Sequence, residues 1–84
     1  MWSPLEGDFV VRDMAGITMT LKVTKVTEDR IYCGEPGVGW CFDRATGAEI
    51  DEELGWGPQF GVTGSKIIDI LHLESGDGDA QAAS

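Results

Sequence analysis

The clearest pattern in the chain is a strict alternation of apolar and polar residues over positions 17–24. A period of two places successive side chains on opposite faces of a strand, so this segment is predicted to be a strand with one buried face. Its polar face is rich in threonine, which is typical of strands. The alternation changes phase at Lys25, which predicts a β-bulge near Thr24 and Lys25. The apolar positions, all expected to be buried, are Ile17, Met19, Leu21 and Val23.

Shorter strands are predicted on both sides of this segment, at residues 9–11, 30–33 and 39–43. The last two form a hairpin if the chain reverses around Gly37, and that register places Cys33 opposite Cys41. It also places Tyr32 opposite Phe42. A β-rich domain is expected from these elements.

Between residues 44 and 58 the sequence predicts a tight turn over 44–47, a short strand over 48–50 and one helical turn over 51–54. Gly47 suits a positive φ in the first turn. Residues 66–74 fit an amphipathic helix capped by Ser65 as well as a closing strand. We favour the strand, because closure of a small barrel removes exposed strand edges.

Twelve glycines and three prolines leave little room for long helices. The fold class is therefore predicted to be mainly β, a small SH3-like barrel of five to six short strands with at most one short helical turn. Residues 1–74 form one domain. Residues 75–84 carry no large apolar side chain and are expected to be a disordered acidic tail.

Two stretches resemble small SH3-like and KOW-like barrels of bacteria and phages. The first has Gly-Asp-Phe-Val-Val at 7–11, Met-Thr-Leu at 19–21 and Val-Thr-Lys-Val at 23–26 before Cys33, and it is similar to the layout of YodC-like proteins. The second runs from Trp40 to Ile50 with Gly-Trp-Gly-Pro at 55–58. These proteins are mostly of unknown function, so the resemblance implies a fold and leaves the activity open.

Charge restricts the possible functions. Six basic and fifteen acidic residues give a net charge of −9. That balance argues against direct nucleic-acid binding through phosphates and against docking on an anionic membrane. No apolar run approaches a membrane span and no signal-peptide pattern opens the chain, so a cytoplasmic location is expected.

Catalytic and metal chemistry find little support in the sequence. His72 is the only histidine and lies in an apolar tract, and no nucleophile–base arrangement is apparent. Cys33 and Cys41 are expected to be buried free thiols in a reducing compartment, with a disulfide as the alternative. Two cysteines and one distant histidine are a poor zinc set. We therefore expect no enzyme, no metal and no cofactor.

An acidic run is the most distinctive functional feature, because no basic residue lies between Ala45 and Ser65. It is either a solvated face that keeps the protein soluble or a patch that steers a basic partner. Trp56, in a Gly-Trp-Gly-Pro turn, either plugs the barrel end or contacts a partner. Tyr32, Trp40 and Phe42 are expected in the core, with an aromatic cage for a cation as the alternative. The predicted partner-binding residues are Asp43, Glu49, Asp51, Glu52, Glu53 and Trp56.

Three functions follow from these features. The first is a non-enzymatic module that binds a basic protein partner through the acidic loop and exposed aromatics. The second is an acidic mimic of nucleic acid that inhibits a CRISPR or restriction protein, as a phage protein would. The third is a KOW-like nucleic-acid binder that uses Arg12, Lys22, Lys25 and Arg30, and the net charge opposes it.

Overall fold

Five antiparallel strands make up most of the domain in the computed structural model, which describes residues 1–35 and 38–72. A single 3-10 turn, Pro58–Phe60, is the one helical element in those ranges. The prediction of a mainly β fold is confirmed. The expected tail at residues 75–84 lies outside the described residues. The strands are β1 (Phe9–Met14), β2 (Ile17–Val26), β3 (Arg30–Glu35), β4 (Val38–Asp43) and β5 (Lys66–Leu71).

The long strand β2 belongs to two sheets. Its first half pairs with β1, which pairs in turn with β5, and its second half pairs with β3, which pairs with β4. The strand order is β4-β3-β2-β1-β5. The register of β2 against β3 shifts between Val23 and Lys25, where the sequence predicts the bulge. A bulge bends the strand, and here the bend lies where β2 leaves one sheet and enters the other.

The two sheets, joined through β2, do not close into a continuous barrel. β4 and β5 are the two outer strands, and in the described ranges only isolated bridges link each of them to residues 48 and 49: Phe42 with Glu49 and Ala48 with Lys66. The fifth short strand predicted at residues 48–50 is therefore reduced to these bridges. The last element is a strand, as favoured, over Lys66–Leu71.

The core lies between the two sheets and is formed by alternate residues of all five strands. Leu21 and Val23 are buried as predicted, but Ile17 and Met19 remain 71% and 44% exposed. Both exposed residues precede the part of β2 that pairs with β3, so the second sheet does not cover them. The buried cluster consists of Val10, Leu21, Val23, Ile31, Cys33, Phe42 and Ile67.

The β3–β4 hairpin differs by one residue from the predicted register. Glu35 pairs with Val38, so Cys33 lies opposite Trp40 and Tyr32 lies opposite Cys41. Directly opposite residues share a face of an antiparallel sheet. Cys33 is therefore in the core and Cys41 is on the outer face, and both thiols are free. The prediction that Cys33 lies directly opposite Cys41 is wrong, and so is the alternative of a disulfide. The thiols are free as expected, but only Cys33 is fully buried.

Two turns shape the segment between β4 and β5. The predicted turn over residues 44–47 is present, with φ of 82° at Gly47, and the Asp43 carboxylate accepts hydrogen bonds from the Thr46 N–H and hydroxyl. The helical turn predicted at 51–54 is absent. Instead, the backbones of Asp51 and Trp56 exchange hydrogen bonds and enclose a loop.

Candidate functional site

An open groove of about 610 Å³ runs between the outer face of the β3–β4 hairpin and the chain at residues 50–53. Its volume falls within the range of ordinary ligand sites, roughly 300–1,000 Å³. The groove combines aromatic, thiol and charged side chains. The lining residues are Thr24, Arg30, Tyr32, Cys33, Gly39, Trp40, Cys41, Glu49, Ile50, Asp51, Glu52 and Glu53.

One wall of the groove is built by the β3–β4 register. Arg30, Tyr32 and Cys41 share the outer face, opposite the core residues Ile31 and Phe42. Hydrogen bonding to the Tyr32 side chain raises the pKa of Arg30. Burial raises the pKa of the Cys41 thiol, and Arg30 opposes that rise. Both shifts favour the protonated forms of these groups, a cationic guanidinium and a neutral thiol.

The second wall is the acidic segment. The Ile50 N–H donates to the Cys41 carbonyl oxygen at 2.8 Å, which fixes this segment beside β4. Asp51 is half-buried, and its carboxylate caps the following loop by accepting from the Leu54 N–H. Glu52 and Glu53 are exposed and form no ion pair with any residue in the described ranges.

Glu49, expected on the exposed acidic surface, is buried instead. Its carboxylate accepts from Arg12 Nε at 2.8 Å and from the Ser65 hydroxyl. The Arg12 and Glu49 side chains are only 13% and 7% exposed, so the pair lies inside the fold. Glu49 borders the groove with its charge already paired, and Arg12 is removed from the basic face that the KOW-like hypothesis needs.

Two other predicted site residues lie away from the groove lining. Asp43 is engaged in capping the 44–47 turn. Trp56 is half-buried, and its ring lies against Gly64 so closely that a Cβ atom there would lie 2.1 Å from two ring carbons. Trp56 thus packs over the backbone at Gly64, just before β5. Of the six predicted partner-binding residues, four line the groove: Glu49, Asp51, Glu52 and Glu53.

The aromatic residues divide between core and groove. Phe42 is fully buried as expected, whereas Trp40 packs partly against the core and also lines the groove. Tyr32 lies on the outer face, with the Lys25 ammonium 5.8 Å from its ring centre. The expectation that all three belong to the core is wrong for Tyr32. Arg30 is predicted as a binding residue only in the KOW-like hypothesis, and Cys41 is not predicted as a site residue, although the alternation over residues 30–33 places Arg30 and Tyr32 on one face.

A second polar contact joins the two ends of the domain. His72 Nδ1 lies 2.8 Å from Oδ2 of the buried Asp8, and that same oxygen accepts from the Leu5 N–H. The contact ties the residue after β5 to the segment before β1. Within residues 1–35 and 38–72 no three potential metal ligands of the His, Cys, Asp and Glu types lie together.

Comparisons with protein-family models, with curated proteins and with solved structures give no match for this chain. Over the ranges that the structure describes, no helix has the length and apolar character required to cross a membrane.

Proposed function

We propose that this protein is a non-enzymatic interaction module whose groove holds a basic segment of a protein partner. The observation that carries the proposal is the mixed lining of the groove: the acidic residues 51–53 line it together with Tyr32 from the outer face of the hairpin and with the partly buried Trp40. Carboxylates attract a cation, and aromatic faces stabilise a guanidinium or ammonium placed over them. A partner arginine or lysine matches both walls.

The charge of the groove favours the same ligand. Asp51, Glu52 and Glu53 contribute three carboxylates, against the cation of Arg30 in the lining and the Lys25 ammonium over the Tyr32 ring. Glu52 and Glu53 have no ion-pair partner in the described ranges, so a cationic ligand meets them without displacing an internal contact. Opposite charges at an interface chiefly raise the association rate and the specificity, and salt screens them.

A titration followed by amide NMR tests this assignment. The probe is a short peptide of alternating arginine and glycine, with a glutamate–glycine peptide as its counterpart. The arginine peptide should shift the amides of β3, β4 and residues 50–53 and the Trp40 indole, and raised salt should weaken its binding. The glutamate peptide should leave these signals unchanged.

Matched variants separate the groove from the overall negative charge. Glu52→Gln with Glu53→Gln and Glu6→Gln with Asp69→Asn both change the net charge from −9 to −7, but only the first pair lines the groove. The groove variant should weaken binding about tenfold, which corresponds to about 1.4 kcal/mol. Equal losses in the two variants would show diffuse attraction and would refute the proposal.

The native partner is then sought by capture from host lysate with the native protein and both variants. A protein that the groove variant loses and the control variant retains supports the proposal. Release of that protein by added DNA or RNA would favour the nucleic-acid mimic in its place, because carboxylates would then stand in for phosphates.

A further inference from the structure

The first half of β2 has an open edge. β1 pairs with residues 17–22 on one side, whereas β3 pairs only with residues 23–26. Among the described residues no strand covers the other side of 17–22, and the side chains of Ile17, Thr18, Met19 and Thr20 are exposed.

The direction of the backbone groups at this edge follows from the turn that precedes it. Ala15 and Gly16 both have positive φ, 54° and 90°, and make a two-residue hairpin whose closing pair is Met14 with Ile17. Hydrogen bonding alternates along an antiparallel strand, so the odd-numbered residues of β2 bond toward β1. Val23 follows this rule, since its N–H and C=O bond to residues 8 and 7. The N–H and C=O groups of Thr18 and Thr20 therefore point away from β1, toward the open edge of β2.

The side chains at this edge lack the usual protection. Soluble proteins block an edge with charges, proline, a bulge or a covering segment. Residues 17–21 contain no charge and no proline; Lys22, at the end of the open edge, is its only charged residue, and the bulge lies further along, after Val23. Instead Ile17 and Met19, on the face that continues into buried Leu21, are 71% and 44% exposed.

We propose that this edge, independently of the groove, pairs antiparallel with the same edge of a second copy of the chain. A register with Met19 opposite the second copy's Met19 places Thr18 opposite Thr20 and Ile17 opposite Leu21. Like faces then meet, and both outward-pointing residues gain hydrogen bonds. The two first sheets become one continuous sheet.

Charge selects this surface for self-association. A protein of net charge −9 repels its own copies over most of its surface, but residues 14–26 contain no aspartate or glutamate and two lysines. The edge is therefore a place where two copies approach without bringing carboxylates together. The apolar Ile17 and Met19 side chains supply the surface to be buried.

Sedimentation or light scattering over a micromolar-to-millimolar concentration series tests the proposal. The native protein should approach twice its 9.0 kDa mass as concentration rises. Thr18→Lys with Thr20→Lys places like charges opposite each other and should raise the dimer dissociation constant more than about tenfold. Gln59→Lys with Thr63→Lys, at exposed positions outside the strands, gives the same net charge of −7 and should leave dimerisation intact.

Circular dichroism establishes that both variants fold. A second readout avoids substitution: amide exchange at Thr18 and Thr20 of the native protein should slow as concentration rises, while other exposed amides stay unchanged. A native protein that is monomeric throughout the series, or a dimer equally stable in both variants, would overturn the inference.

Discussion

The buried Arg12–Glu49 pair offers a sharp test of the packing described above. Glu49→Leu leaves the Arg12 guanidinium without its anion and the Ser65 hydroxyl without its acceptor, in a site where the two charged side chains are 13% and 7% exposed. Removal of one partner of a buried pair costs about 3–5 kcal/mol. Because Arg12 keeps some contact with water, we expect the lower end, about 3 kcal/mol.

That loss is large for this domain. At roughly 0.05–0.15 kcal/mol per residue, 84 residues have a free energy of unfolding of about 4–13 kcal/mol. A loss of about 3 kcal/mol corresponds to a fall in Tm of roughly 12–24 °C for a domain of this size. Urea unfolding followed by tryptophan fluorescence measures it, since the chain has three tryptophans.

A double-mutant cycle separates the pair from its surroundings. Arg12→Met alone leaves the buried Glu49 carboxylate without its cation, whereas Arg12→Met with Glu49→Leu replaces both charges by apolar groups of similar size. We expect the double variant to be more stable than either single variant, because no unpaired buried charge remains. Losses that add to within about 0.5 kcal/mol would refute the reasoning.

Two further predictions concern buried groups. Burial raises the pKa of Cys33 from its ordinary value of 9.0 to about 12. The thiol therefore contributes fully to the free energy of unfolding below pH 9, and this contribution is lost as pH rises from 9 to about 12. Urea unfolding across this range should show a smaller decline in the free energy of unfolding for Cys33→Ala than for the native protein, and an equal decline would contradict the prediction. Gly64→Ala places a Cβ atom 2.1 Å from the Trp56 ring and should cost about 1–3 kcal/mol and alter tryptophan emission, whereas native stability and emission would show that the ring has room to move.

Local sequence patterns predicted the strands well because their causes are local. The bulge after Val23 follows from the change of phase, and the turn before Gly47 follows from its residue types. The hairpin register does not follow so directly. The predicted register, centred on Gly37, and the observed register, closed by Glu35 and Val38, differ by one residue. That single step puts Tyr32, instead of Cys33, on the same face as Cys41.

The candidate site was predictable only in part, since its members come together across the sheet. Asp51, Glu52 and Glu53, which the acidic run marks as candidate partner-binding residues, line the groove. Nothing in the local sequence distinguishes Glu49 from them, because its role depends on Arg12, which is distant in the chain. Likewise, Ile17 and Met19 continue the alternation of a buried face, but β3 does not extend far enough to cover them.

The order of strand pairing also bears on how the chain folds. β1 with β2, β2 with β3 and β3 with β4 are pairs of consecutive strands, whereas β5 pairs with β1 from the far end of the domain. Short loops close at low entropic cost, and pairing between distant segments limits the folding rate. The first four strands form a meander of local pairings, and we expect them to assemble before β5 docks. Because the Ser65–Glu49 bond and the His72–Asp8 contact involve residues next to β5, we expect them to stabilise the completed domain more than an early folding intermediate.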